Sequence, residues 1–132
     1  MIGVDTNVLI RLLIGDDERQ QRQAHTYLLR HSSADDPAWV NRIVAVETVW
    51  VLERRYGYAR KQIADVLERL LNTAELSFEN HDLVRDAIGA YREGAGFSDA
   101  LIAAGNAAAD CSTTVTFDAR AAKQVRRFTL LK

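Results

Sequence analysis

The chain has 132 residues, of which 48% are apolar and 27% charged, which is the size and balance of one globular domain. Its single cysteine excludes an internal disulfide and a cysteine-based zinc site, and its net charge of −1 argues against binding nucleic acid through bulk positive charge. There is no apolar run of about 20 residues and no export-type pattern at the start. We expect a cytoplasmic protein with one domain over residues 1–132.

Short β-type runs alternate with helical patterns along the chain. In chain order, the sequence predicts a strand at 2–4, helices at 8–14 and 16–30, a strand at 38–41, helices at 43–56 and 59–71, a strand at 75–78, helices at 80–93 and 99–109, a strand at 113–117, a helix at 119–125 and a strand at 128–131. This alternation indicates an α/β sandwich with a mostly parallel sheet.

The predicted helix at 59–71 has an apolar face formed by Ile63, Val66, Leu67 and Leu70. Together with the apolar turn at 49–52, this face offers more apolar surface than a chain of this length easily buries. We therefore expect a partner to pack there.

The cysteine and the histidines are assigned no chemical role. Cys111 has no histidine nearby and is expected to be a small buried apolar residue. The three histidines, His25, His31 and His81, lie in surface-like contexts and are expected to be solvated.

Three acidic residues stand where a strand or a loop meets a predicted helix. Asp5 follows the first strand, Asp99 opens the helix at 99–109, and Asp118 follows the strand at 113–117. Ligands of open parallel sheets bind beyond the carboxyl ends of the strands, so these acids could form a site. Each could instead cap the helix that follows it.

A fourth acid, Glu47, lies within the predicted helix at 43–56. Its helical neighbours are Ile43, Val44, Trp50 and Val51, so we expect its carboxylate to be buried. A buried carboxylate is normally paired with a base, protonated or bound to a metal. The pairing alternative would use Arg11 or Arg42. The metal alternative is a hard divalent cation, Mg²⁺ or Mn²⁺, since these ions prefer oxygen ligands.

Four segments carrying these acids resemble the PIN-domain family, and within it the VapC-type ribonuclease toxins of toxin–antitoxin pairs. They are Val4-Asp5-Thr6-Asn7-Val8-Leu9-Ile10-Arg11, Val46-Glu47-Thr48-Val49-Trp50-Val51-Leu52, Phe97-Ser98-Asp99-Ala100-Leu101-Ile102-Ala103-Ala104 and Thr116-Phe117-Asp118. The resemblance covers essentially the whole chain, with the motifs in the expected order. It implies a PIN-like three-layer α/β/α sandwich with a mostly parallel central sheet.

The resemblance also implies an Mg²⁺- or Mn²⁺-dependent endoribonuclease. The family's acidic set falls on Asp5, Glu47, Asp99 and Asp118, with Thr6, Asn7 and Thr116 in support. Many relatives carry a further acid where this chain has Gly96, which implies fewer ligands for a second metal. By the same resemblance we expect a homodimer, and a cognate antitoxin that blocks the acidic site with an arginine.

The chemistry suits the residue types, because a divalent ion can activate water and neutralise phosphate oxygens without a histidine base. Neutralising the four acids would leave the remaining surface weakly basic, which favours RNA. The candidate phosphate contacts are Arg11, Arg120 and Lys123. The basic stretch at 119–132 could equally be a solvated helix face.

Other function classes fit the sequence less well. An aspartate-nucleophile phosphatase needs a second acid where Asn7 stands, and a phospho-receiver domain needs a lysine where Asp118 stands. A dinucleotide-binding domain needs a glycine-rich first turn, which Asp5-Thr6-Asn7 does not supply. The remaining alternative is a catalytically inactive PIN-like module that only binds a protein or RNA partner.

Overall fold

The computed structural model describes residues 1–132 and contains seven helices and four short strands. They are α1 (Thr6–Leu13), α2 (Glu18–His31), β1 (Ala38–Val40), α3 (Arg42–Arg54), α4 (Arg60–Leu71), β2 (Leu76–Phe78), α5 (His81–Arg92), α6 (Phe97–Ala108), β3 (Thr114–Thr116), α7 (Ala119–Gln124) and β4 (Phe128–Leu130). None of these helices combines the length and the apolar composition that crossing a membrane requires.

Every strand pairing in the protein is parallel. β1 pairs with β2 and β3 pairs with β4, and Gly3 forms a single parallel bridge with Trp39 of β1. The predicted strand at 2–4 makes only this bridge, because Asp5 already caps the helix that follows. The predicted α/β fold with parallel strands is confirmed. Its strands form two two-stranded parallel sheets, β1 with β2 and β3 with β4.

The core is one cluster of 25 buried residues. Ile63, Leu67 and Leu70 of α4 belong to it, since α4 packs against α5 and β2. The expectation that this face of α4 awaits a partner was therefore wrong, because the chain buries it itself. Trp50, in the 49–52 segment of the same prediction, is 56% accessible, and Ile43 on the same helix α3 is 71% accessible.

Two smaller predictions have opposite outcomes. Cys111 is exposed, so its predicted burial was wrong. It lies in the turn after α6, next to Asp110, whose φ of 68° ends the helix and directs the chain outward. The three histidines are exposed, as predicted.

Candidate active site

Asp5 lies at the N-terminal end of α1, where it is the N-cap. Its carboxylate accepts a hydrogen bond from the Thr6 backbone N–H at 2.8 Å, and its carbonyl accepts from the N–H groups of Val8 and Leu9. The side chain is exposed. Asp5 therefore caps a helix and remains open to a ligand at the same time, so the capping role does not exclude a functional one.

Thr6 and Glu47 connect α1 to α3. The Thr6 hydroxyl donates to Oε1 of Glu47 at 3.0 Å, and Thr6 itself is buried. Glu47 is exposed, so its predicted burial was wrong. Helix α3 turns Val44, Thr48 and Leu52 to the core, which places Glu47 on the opposite side, between Ile43 and Trp50.

Neither arginine considered as a partner for Glu47 contacts it. Arg11 pairs with Asp16 at 3.2 Å, and Arg42 pairs with Glu79 at 3.5 Å. The buried ion pair that was the alternative for Glu47 is therefore excluded. The protein has ten ion pairs, and none of them includes any of the four candidate acids, Asp5, Glu47, Asp99 and Asp118.

Asp99 and Asp118 form the second pair of acids. Burial raises the pKa of Asp99, and the negative charge of Asp118 raises it further. Asp99 is the third residue of α6, which begins at Phe97, two residues before the predicted start. Its charged form is thus disfavoured, as expected of a carboxylate that lacks a compensating positive charge.

Asp118 is held by the first turn of α7. Its Oδ1 accepts hydrogen bonds from the N–H groups of Arg120 at 2.9 Å and Ala121 at 3.0 Å. Its Oδ2 accepts no hydrogen bond from the protein and is therefore free to bind a ligand. The Thr116 hydroxyl accepts from the Asp118 N–H at 3.0 Å. Thr116 therefore fixes the backbone at Asp118.

The turn that leads into α6 is held by Arg60, a residue that the sequence analysis missed. Its Nη1 donates to the carbonyls of Tyr91 at 2.7 Å and Ala95 at 2.6 Å, and its guanidinium lies 4.4 Å from the centroid of the Tyr91 ring. The Tyr91 hydroxyl donates to Glu53 at 2.8 Å. These contacts fix the start of the helix that carries Asp99. Backbone carbonyl acceptors leave no side-chain pattern, so no sequence signal indicates them.

The structure connects the four acids in pairs rather than in one cluster. Glu47 is hydrogen-bonded to Thr6 at the N-terminal end of α1, which Asp5 caps. The negative charge of Asp118 raises the pKa of Asp99. No group of three or more His, Cys, Asp or Glu side chains is placed so as to hold a metal ion. The donor set still fits a hard divalent cation by its chemistry, because it consists of carboxylate and hydroxyl oxygens without a neutralising base.

The chain matches the model of a family described as PIN domain over residues 2–127. The chain belongs to the PIN-domain family. It is also 30% identical over 99 residues to a protein named VapC ribonuclease from Aquifex aeolicus (strain VF5), which covers 74% of this chain and 73% of that protein. The resemblance stated from the motifs is confirmed, and the two matches together support a PIN-type nuclease.

Of the phosphate contacts predicted for this PIN domain, Arg11 differs from the other two. Its guanidinium is engaged by Gln20 at 2.5 Å and by Asp16, and the Tyr56 hydroxyl and Asp16 hold its pKa above the usual value. Arg120 and Lys123 on α7 are exposed and take part in no ion pair. Asn7, predicted as a supporting residue, is exposed beside Asp5.

Gly96 is the residue directly before α6 and its N-cap. A Cβ at this position would lie 3.1 Å from Oδ2 of Asp99, closer than nearly all such contacts, although the backbone angles of Gly96 suit alanine. We expect Gly96→Ala to displace the Asp99 carboxylate and lower RNA cleavage about tenfold or more, with little effect on the unfolding midpoint.

The matched control is Gly89→Ala in the middle of α5, where a Cβ meets nothing within 4 Å. This change is expected to raise the free energy of unfolding by about 0.5–1 kcal/mol and leave cleavage unchanged. Thermal melts and an RNA cleavage assay on both variants measure the contrast. Equal cleavage by the two would show that the position of Asp99 does not matter.

Proposed function

We propose that this chain is one nuclease domain over residues 1–132, a metal-dependent endoribonuclease that hydrolyses phosphodiester bonds of RNA. We further propose that it is the toxin of a toxin–antitoxin pair and acts in the cytoplasm, where its RNA substrate lies. The observation that carries the proposal is the set of four acids on three helix starts and one exposed helix face, none with an ion-pair partner. Asp99 is partly buried beside Asp118 with no positive charge to offset it, so its ionised carboxylate is costly unless a cation binds there.

In this proposal Asp5, Glu47, Asp99 and Asp118 hold Mg²⁺ or Mn²⁺. The bound ion would lower the pKa of a water molecule and neutralise charge on the phosphate. Thr6 orients Glu47 through its hydroxyl, and Thr116 fixes the backbone of Asp118. Arg120 and Lys123 on α7 supply positive charge for phosphate groups near Asp118.

The proposed partners follow from the ribonuclease relative and from the exposed apolar side chains. A cognate antitoxin would suppress cleavage by placing an arginine among the acids. A homodimer is proposed as well, with Trp50 of the 49–52 segment, which the isolated chain leaves exposed, at its interface and the Glu47 carboxylate left open. A chain that sediments strictly as a monomer at micromolar concentration would contradict the dimer.

One observation favours the second candidate, an inactive PIN-like module that binds a partner. The acids do not form a group of three poised for a metal. In that case, the purified chain would bind RNA or protein, and no divalent ion would produce cleavage.

The experiment that separates the two candidates is a metal titration of RNA cleavage by the purified chain. Cleavage of single-stranded RNA is expected with Mg²⁺ or Mn²⁺ and is expected to stop with excess EDTA. Zn²⁺ is expected to substitute poorly, because the proposed ligands are all oxygens. Robust cleavage in excess EDTA would refute the metal mechanism, and absence of cleavage with every ion would favour the inactive module.

A further inference from the structure

The outer face of α2 is rich in arginine and has no assigned role. The helix carries three arginines and two histidines against one acid, Glu18, and none of its residues is buried. An open concavity of about 490 Å³ lies along this face, lined mainly by Arg19, Arg22, Tyr27, Arg30 and His31. The acids of the candidate active site are not part of it.

The arginines of α2 form a stripe because they recur at helical spacing. Arg19, Arg22 and Arg30 lie three and eight residues apart, so they share one side of the helix over about 16 Å. Arg19 and Arg30 take part in no ion pair, and Arg22 reaches only Glu18, at 4.0 Å between two exposed side chains. An exposed pair at that distance contributes little, so the stripe keeps most of its charge available.

The opposite face of α2 is fixed to the rest of the molecule. The Gln21 side chain donates to the Leu12 carbonyl at 3.4 Å. Ala24 and Leu28 are half-buried toward α1. The helix is thus a supported element whose arginine stripe points to solvent.

Two aromatic rings lie within the stripe. Tyr27 and His31 are one turn apart with their ring centroids 4.2 Å from each other, tilted by 33°. Tyr27 is 55% accessible, so much of its ring remains open to solvent beside His31. Flat rings beside arginines are the combination that binds single-stranded nucleic acid, since bases stack on the rings while guanidinium groups contact phosphates.

We infer that the α2 face is a second RNA-binding surface, which holds a single-stranded part of the substrate away from the four acids. This inference rests on the proposed function for its substrate. An acidic protein segment would also be attracted to the arginines and could accept hydrogen bonds from Tyr27 and His31, but its carboxylates would not stack on the flat faces of these rings as bases do. The chemistry of the face therefore favours RNA.

Binding is tested by fluorescence anisotropy with a fluorescein-labelled oligoadenylate, in EDTA so that nothing is cleaved. The double variant Arg19→Gln with Arg30→Gln is expected to bind about tenfold more weakly at low salt. The slope of log affinity against log salt is expected to flatten by about 1.4, which is the loss of two phosphate contacts on a single strand. Glutamine is a good helix former and both sites are exposed, so the fold is expected to persist.

The control double variant, Arg55→Gln with Arg69→Gln, removes the same charge from exposed arginines outside α2 that form no ion pair. It is expected to change affinity by less than about twofold, since distant exposed charges are screened. Tyr27→Leu is expected to bind the oligoadenylate about tenfold more weakly than the parent. Tyr27→Phe is expected to bind it like the parent, because phenylalanine preserves stacking.

Equal losses of RNA affinity in the two double variants would overturn the inference, because only the total charge of the protein would then matter. Competition by polyglutamate as strong as that by unlabelled oligoadenylate would also overturn it and indicate an acidic protein partner. A parent chain that binds RNA through α2 but never cleaves it would refute the proposed function alone. If the parent cleaves RNA but the two double variants bind RNA equally well, this inference alone would be refuted.

Discussion

Asp99→Asn is expected to reduce RNA cleavage by more than about 100-fold, because even changes to groups that only orient metal ligands cost about 10–100-fold. The same change is expected to leave the free energy of unfolding of the metal-free protein equal or higher. Burial and the charge of Asp118 both disfavour the ionised form of Asp99 in the folded protein, and asparagine removes that charge.

The pH dependence follows from the sign of this shift. Because the pKa of Asp99 is raised on folding, the folded protein holds the proton more tightly than the unfolded chain does. The contribution of Asp99 to stability is therefore lost as pH rises from its ordinary pKa through the raised value. The stability advantage of Asp99→Asn should grow over that interval and stay constant above it.

Denaturant unfolding of both proteins across acidic to neutral pH measures this difference. Asp35→Asn is the control, since Asp35 is exposed and forms no ion pair. A marked loss of stability in Asp99→Asn at neutral pH, together with retained cleavage, would show that Asp99 serves the fold rather than the reaction.

Glu47→Gln is expected to lower cleavage by more than about 100-fold as well, without weakening the fold. Glutamine keeps an oxygen that can accept from the Thr6 hydroxyl, and the site is exposed, so stability should change by less than about 0.5 kcal/mol. Added Mn²⁺ should stabilise the variant less than the parent, because stabilisation follows affinity.

The control for Glu47 is Glu75→Gln, which removes the same charge at an exposed site whose side chain forms no hydrogen bond or ion pair. Thermal melts with and without Mn²⁺, beside an RNA cleavage assay, distinguish the two variants. A loss of about 3–5 kcal/mol without metal would be the signature of a broken buried pair. That result, with cleavage retained, would contradict the assignment of Glu47 to the site.

The elements that the sequence predicted well are those with their own local signals. Asp118 lies between a β-type run and an alanine-rich helix, and both the strand and the capping position are where the pattern indicates. Asp5 is the N-cap of α1 for the same reason. Short parallel strands were predictable from the alternation of patterns, although their three-residue length was not.

Glu47 shows what local patterns leave undetermined. Helix α3 is apolar on most sides, so spacing alone did not decide which side faces the core. The buried side of α3 is decided by the elements that pack against it. Helices α1, α4 and α6 contact α3, where Val44, Thr48 and Leu52 are buried and Ile43 and Trp50 are exposed. The Arg60 contacts were equally hidden, since they join α4 to carbonyls that lie 31 and 35 residues away.

The most direct test of the proposed activity is cleavage of single-stranded RNA by the purified parent chain and by Asp99→Asn, each measured with Mg²⁺ and again with excess EDTA. We expect cleavage only by the parent with Mg²⁺, since the variant also reports any contaminating nuclease. Equal cleavage by both proteins, or cleavage by the parent in excess EDTA, would contradict a metal-dependent ribonuclease site at these four acids.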